Sequence, residues 1–147
     1  MKTKKLIDRK KNIMIGILIL GMIFPFTSYA KKIKFMPSSV VPAANGYVKV
    51  KTDKNKNHVI KIEIRDLADV ERLKTSKVSY VVWMETDQGK TENLGQLNSS
   101  SGFMSKQMKA SLETVSSYHP TKIYVTAEEF VEAQYPGDRI ILTTDRF

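Results

Sequence analysis

A two-residue alternation of apolar and charged side chains is the feature that most constrains this chain. In residues 59–67, the isoleucines at positions 60, 62 and 64 alternate with a lysine, a glutamate and an arginine, and Val48 and Val50 repeat the pattern in residues 47–51. Because successive side chains of a strand point to opposite faces, each segment predicts a strand with one buried face. The intervening Asp-Lys-Asn-Lys-Asn of residues 53–57 favours a turn, so the two segments are predicted to form a β-hairpin.

Residues 77–86 form the most apolar segment after the N-terminal region. Tyr80, Val82 and Met84 would share one face of a strand, and Val81 and Trp83 the other. Apolar side chains on both faces predict a central strand, or one whose second face is partly covered.

Shorter strands are predicted along the rest of the chain. They lie at residues 93–97, 109–115, 121–127 and 139–144, with loops at 87–92, 98–102 and 128–138. In the last of these strands, Ile140 and Leu142 are expected on one face. Residues 66–73 are expected to form a short helical turn between sheets. About seven or eight short strands separated by turns predict an all-β fold, an antiparallel immunoglobulin-like β-sandwich.

The first 30 residues differ from the rest of the chain. Six Lys and Arg side chains and one Asp precede or adjoin an apolar run at residues 13–26, and Ser28 and Ala30 occupy the −3 and −1 positions of a cleavage site. This is the pattern of a secretory signal peptide. The run is shorter than the roughly 20 residues that a membrane-spanning helix needs. We therefore expect cleavage after Ala30, with the alternative of an uncleaved N-terminal anchor, and a single exported domain at 31–147, periplasmic or associated with the cell envelope.

Composition narrows the function further. The chain has no cysteine, which excludes disulfides, thiolate metal sites, a cysteine nucleophile and a lipid-modified cysteine of the lipoprotein type. The formal net charge of +9 falls to +4 once the +5 of residues 1–30 is removed. Basic clusters at 31–34 and 49–56 would suit a polyanion or a membrane, but the alternation favours solvated strand faces and a turn. We predict no nucleic-acid partner. Membrane contact is predicted only during export, or through an uncleaved N-terminal anchor.

Motifs for metal or catalytic chemistry are weak. Asp53-x-Asn55-x-Asn57 resembles the start of a calcium loop, yet His58 and Ile64 stand where that motif needs Gly and Glu. The two histidines, His58 and His119, lie far apart in the sequence, so no metal or other cofactor is predicted.

Glu128 and Glu129 would point to opposite faces of a strand and are interpreted as the solvated start of a loop. No Gly-x-Ser-x-Gly nucleophile motif is present. The chain is therefore predicted to be non-enzymatic.

Trp83, the single tryptophan, has two interpretations. It could form an aromatic binding patch with nearby tyrosines, including Tyr135, or it could fill the core of the sandwich, which is the usual role of a Trp on a central strand. The polar loop after the strand adds further contact candidates. The predicted ligand or partner contacts are Tyr80, Trp83, Asp87, Gln88 and Tyr124.

Several short motifs resemble one known family. They are the Tyr80-Val-Val-Trp83 strand, the Leu94-Gly95 pair, the Val125-Thr126-Ala127-Glu128 strand and the Tyr135-Pro136-Gly137 turn. In this order they resemble the extracytoplasmic C-terminal domain of anti-sigma-K factor type proteins, over residues 80–144. The mature chain also resembles small exported Bacteroidota proteins of unknown function.

The resemblance implies a β-sandwich and a role in periplasmic interaction or sensing, without catalytic residues. Sigma binding is not implied, because only 12 residues precede the apolar run. The leading hypothesis is thus an exported, non-enzymatic module that binds an envelope protein partner or senses a signal. The alternative is a module for glycans or other cell-surface ligands.

Overall fold

The fold is a sandwich of two antiparallel β-sheets. A computed structural model of the protein describes residues 30–68, 79–101 and 108–147. Within these ranges the chain forms strands and no helix, which confirms the predicted all-β sandwich. The predicted signal peptide lies outside the described residues. In the described part of the chain, no helix has the length and hydrophobicity that a membrane crossing requires.

In the described residues, nine strands make up the two sheets. They are β1 (Lys31–Lys34), β2 (Asn45–Thr52), β3 (His58–Arg65), β4 (Ser79–Thr86), β5 (Thr91–Gln96), β6 (Asn98–Ser101), β7 (Met108–Ser116), β8 (Pro120–Glu128) and β9 (Ile140–Thr143). The five-stranded sheet has the order β1-β2-β3-β7-β6, and the four-stranded sheet the order β5-β4-β8-β9.

The strand order is that of the immunoglobulin fold. The immunoglobulin pattern places strands A-B-E-D in one sheet and C-F-G in the other. Here β2-β3-β7-β6 and β4-β8-β9 reproduce these two orders, with β1 and β5 added as edge strands. The turns after β2, β4 and β7 therefore lie at one end of the sandwich, and the loop after β8 lies at the other.

The core lies between the sheets and follows the predicted alternation. The predicted hairpin is confirmed: β2 pairs with β3 from Asn45↔Arg65 to Thr52↔His58. Val48 and the three isoleucines of β3 point inward and are fully buried, as are Val82 and Met84 from the facing sheet. The predicted strand at 109–115 is likewise confirmed as β7.

A β-bulge shapes the pairing of β4 with β5. Val82 pairs with Gly95 but Trp83 pairs with Asn93, so Leu94 is the extra residue. Gly95 has a φ of 111°, in the region that favours glycine. After the bulge the chain passes through Leu97 and continues as β6 in the other sheet.

Three sequence predictions are wrong. Residues 98–102 were expected to be a loop, yet Asn98–Ser101 forms β6 because its backbone pairs with β7. Ile140 and Leu142 were expected on one face, but a bulge against β8 separates them and leaves Ile140 exposed. Glu128 was expected to be solvated, but it is buried beneath the loop that follows it. The helical turn predicted at 66–73 lies largely outside the described residues.

Candidate functional site

The five predicted contact residues separate into two groups. Tyr80, Trp83 and Tyr124 are buried, whereas Asp87 and Gln88 are exposed in the turn after β4. Tyr80 points into the main core, where its hydroxyl donates to the carbonyl of Ala68 at 2.9 Å. The three aromatic side chains are thus inaccessible to a surface ligand in this structure, while the two turn residues remain candidate contacts.

Trp83 lies on the outward face of the four-stranded sheet, not between the sheets. There it packs with Val81, Tyr124 and Ala133 in a second, smaller core. Burial raises the pKa of Tyr124. Residues 129–139, which we call the covering loop, connect β8 to β9 and contribute Ala133 to this cluster. The covering loop therefore explains how a strand can be apolar on both faces.

A chain of buried and partly buried hydrogen bonds ties the covering loop to the sheet. The Trp83 Nε1–H donates to Thr126 Oγ1 at 2.7 Å, and the Thr126 hydroxyl donates to Glu128 Oε1 at 2.5 Å. The Gly137 N–H donates to the same carboxylate oxygen at 2.7 Å. Because an unsatisfied buried polar group is costly, each bond in this chain holds its neighbours in place.

A second attachment holds the first half of the covering loop. The Asn93 side-chain amide on β5 donates to the carbonyls of Val131 at 2.8 Å and Ala133 at 2.9 Å. The Asn93 contacts hold the first half of the loop, and the Glu128–Gly137 hydrogen bond holds the second half. The covering loop is consequently a surface feature with a defined conformation.

Large apolar side chains project from this fixed segment. Phe130 is 72% exposed and Tyr135 82% exposed, and Ile140 at the start of β9 is 46% exposed. Met36 and Val40, in the connection from β1 to β2, are also exposed. Met36 and Ile140 line one shallow cavity of about 160 Å³. Sequence reasoning marked Tyr135 but missed Phe130 and Ile140, because an apolar residue in a loop carries no sign of its exposure.

The covering loop carries a negative charge. Glu129, Glu132 and Asp138 are exposed, and Arg139 offsets one of their charges, so the loop is net −2. The exposed aromatic side chains are thus flanked by carboxylates.

The opposite end of the sandwich brings the two histidines together. The His58 and His119 rings lie edge to face with their centroids 5.0 Å apart. Burial and then the neighbouring His119 lower the pKa of His58, against the opposing effect of Asp87 and Asp53. The sequence separation of the two histidines gave no hint of this contact, which the turns after β2 and β7 produce.

The carboxylate of Asp53 stabilises the turn at residues 53–57. Asp53 Oδ1 accepts hydrogen bonds from the backbone N–H groups of Asn55 and Asn57, both at 2.8 Å. This confirms the interpretation of the segment as a turn. Among the described residues, no group of three or more His, Asp or Glu side chains is arranged to hold a metal ion.

Comparisons with protein-family models, curated proteins and solved structures find no match to this chain. The resemblance to anti-sigma-K factor domains therefore stays a prediction.

Proposed function

We propose that the protein is an exported, non-enzymatic protein-interaction module whose contact surface is the covering loop. The observation that carries the proposal is the exposure of Phe130 and Tyr135 on a loop that hydrogen bonds to Glu128 and Asn93 hold in place. Binding residues are often found on loops that a rigid scaffold positions. Aromatic side chains dominate the energetics of many protein interfaces.

The chemistry of the surface defines the kind of partner. Phe130 and Tyr135 would insert into apolar pockets, and the acidic side chains around them would face a basic rim. The N-terminal signal pattern would bring the module to an envelope partner. Recognition of such a partner is compatible with the sensing role that the family resemblance implies.

A macromolecular partner suits the surface better than a small ligand. Small-molecule sites are concave, whereas Phe130 and Tyr135 project outward and line neither of two cavities, of about 160 Å³ and 270 Å³, formed by described residues. The burial of Trp83 removes the main motive for a glycan site on that residue. Tyr135 remains exposed, but it lies within the surface proposed for the protein partner.

The test compares variants of the full chain by quantitative cross-linking in the native envelope. The double variant Phe130→Ser/Tyr135→Ser removes the two exposed aromatic side chains. Val115→Ser is the matched control, since Val115 is also an exposed apolar residue, on the other sheet. We expect a stoichiometric cross-linked protein with the wild-type chain and with the control, and a loss of more than about tenfold with the double variant, because hot-spot aromatics each contribute about 2 kcal/mol or more.

Equal cross-linking of the double variant and the wild-type chain would refute the covering loop as the contact surface. The absence of any stoichiometric partner would refute the protein-interaction module itself.

A further inference from the structure

The outward face of the five-stranded sheet concentrates positive charge. Side chains alternate along each strand, so the register places a defined set on this face. The basic members are Lys32, Lys34, Lys49, Lys51, Lys61, Arg65 and Lys109, and the acidic members are Glu63 and Glu113. The face is thus net +5, more than the net +4 of all residues from 31 to 147. We call it the cationic face.

Like charges lie directly opposite one another on the cationic face. Lys32 pairs with Lys49, and Lys49 pairs in turn with Lys61, which makes a row of lysines across three strands. Arg65 pairs with Lys109 on the next strand pair. Like charges directly opposite in a sheet destabilise it. Side chains of alternating charge would keep this face equally well solvated. The row of like charges therefore points to a role outside folding.

The acidic side chains of the face are engaged within it. Glu63 accepts a hydrogen bond from the Tyr47 hydroxyl at 2.5 Å, which lowers the pKa of Glu63 and raises the pKa of Tyr47. Glu113 lies 3.6 Å from Lys61 Nζ. Glu63 also attracts Lys49, Lys61 and Arg65, whereas the other four lysines of the face form no ion pair with a described carboxylate.

The cationic face is broad, and among its described residues the one aromatic ring, that of Tyr47, is covered. Five strands spaced about 4.8 Å apart span roughly 20 Å, a width suited to a planar array of anions. The aromatic ring of Tyr47 lies under two ammonium groups, with its centroid 4.0 Å from Lys32 Nζ and 5.1 Å from Lys49 Nζ. The ring is therefore not open to stack on a nucleic-acid base. These features favour a layer of lipid headgroups over a single polyanionic strand.

We propose that the cationic face docks on the surface of an anionic lipid bilayer, with its lysines contacting phosphate-bearing headgroups. The edge strand β1 of the same sheet directly follows the basic and apolar N-terminal segment. The covering loop lies on the outward face of the other sheet, so bilayer and protein partner occupy opposite sides of the sandwich. This proposal goes beyond the interaction module and does not depend on it.

The test measures binding of the full chain to two kinds of vesicle. One is pure phosphatidylcholine, and the other contains phosphatidylcholine and phosphatidylglycerol in equal parts. The face variant Lys49→Gln/Lys51→Gln/Lys61→Gln is compared with a control of equal charge change, Lys54→Gln/Lys56→Gln/Lys90→Gln, whose lysines lie in turns at one end of the sandwich. Every protein keeps the same N-terminal segment, so its contribution cancels in the comparison.

We expect the wild-type chain and the control to prefer the anionic vesicles at low ionic strength. The face variant should bind them more than about tenfold more weakly, since each Lys near an anionic surface contributes roughly a fivefold factor. Added salt should reduce the difference. An unchanged Trp83 emission spectrum verifies that each variant is folded.

Three outcomes would overturn the proposal. The face variant could bind anionic vesicles as tightly as the wild-type chain, or the control could lose as much affinity as the face variant. Binding of a short DNA duplex without binding of vesicles would assign the face to nucleic acid instead.

Discussion

Trp83 shows how a single residue can organise a surface without forming part of it. Its side chain is fully buried on the outward face of the four-stranded sheet, and its indole N–H begins the hydrogen-bond chain that ends at Gly137. A Trp on a central strand usually fills the core between the sheets. Here it fills the space beneath the covering loop, so its contribution to function is to position other residues.

Replacing the hydroxyl at the centre of the hydrogen-bond chain should destabilise the protein. Thr126→Val keeps the shape of the side chain but removes a partner from both Trp83 Nε1 and Glu128 Oε1. We expect the free energy of unfolding to fall by about 1–3 kcal/mol, the cost of leaving buried polar groups unsatisfied. Urea denaturation measures this change. The double variant Trp83→Phe/Thr126→Val should cost less than the sum of the single variants, and strict additivity would contradict the coupling.

The histidine contact predicts a pH response. The folded protein holds the pKa of His58 below its ordinary 6.5, first through burial and then through His119. The unfolded chain therefore binds more protons at this site just below pH 6.5, so the contribution of His58 to stability is fully present above that pH and is lost as the pH drops through it towards the lowered pKa. NMR titration should give a His58 pKa below 6.5 that rises in His119→Gln. An unchanged His58 pKa in that variant would show that the ring contact has no electrostatic effect.

At the level of elements, the covering loop and β8 form one unit. β8 supplies both Thr126 and Glu128, and the loop returns through Gly137 to bond the Glu128 carboxylate. The buried Glu128 is one residue whose predicted environment is wrong, since the sequence interpretation treats Glu128 and Glu129 as equally solvated. Adjacent strand residues point to opposite faces, and here one of those faces is covered by chain that comes later.

A methyl group at Gly137 should loosen the covering loop. A Cβ there would lie 2.9 Å from Glu128 Oε2 and 3.3 Å from Oε1, so Gly137→Ala would displace the carboxylate. We expect a red shift of Trp83 emission and faster hydrogen exchange in residues 129–139, with a global cost of about 1 kcal/mol, as in typical point variants.

Gly89→Ala is the control for this substitution. Nothing lies within 4 Å of a Cβ at Gly89, but its φ of 73° makes alanine strained there. It should lower stability by a comparable amount while leaving Trp83 emission unchanged. An equal red shift in both variants would contradict a specific role for Gly137.

For the whole molecule, the two outward faces of the sandwich differ in charge. The cationic face carries net +5, whereas the covering loop on the other side carries net −2. Neighbouring lysines of the cationic face repel each other in the folded state more than in the extended chain. Salt screens such exposed charges, with a Debye length of about 10 Å at 0.1 M.

Added sodium chloride should therefore stabilise the protein. We expect the free energy of unfolding to rise by about 0.5–1 kcal/mol between low and moderate salt, because cross-strand charge pairs each contribute a few tenths of a kcal/mol. Urea denaturation at several salt concentrations provides the measurement. The variant Lys49→Gln/Lys51→Gln/Lys61→Gln should show a flatter dependence, and Lys54→Gln/Lys56→Gln/Lys90→Gln should keep most of it. A fall in stability with salt would show that the ion pairs outweigh the lysine row.

The local sequence predicts the strands correctly wherever apolar and polar side chains alternate. The β2–β3 hairpin, the strand around Trp83 and the strand β7 follow from alternation, since burying one face requires the apolar residues to recur every second position. β6 was missed because Asn is depleted in strands and both Asn and Ser favour turns. Its extended form comes from hydrogen bonds to β7, and those bonds depend on how the chain folds back.

The alternation of side chains along the chain is enough to predict the class of the fold and the inward set of side chains, because periodicity is a local property. Which side chains meet on the outward faces depends on how the strands pair. The row Lys32, Lys49 and Lys61 depends on the register of three strands, and the burial of Trp83 depends on a loop that follows β8. Register and coverage are relations between distant segments. The two proposed contact surfaces, the covering loop and the cationic face, therefore emerged only when the strands were paired.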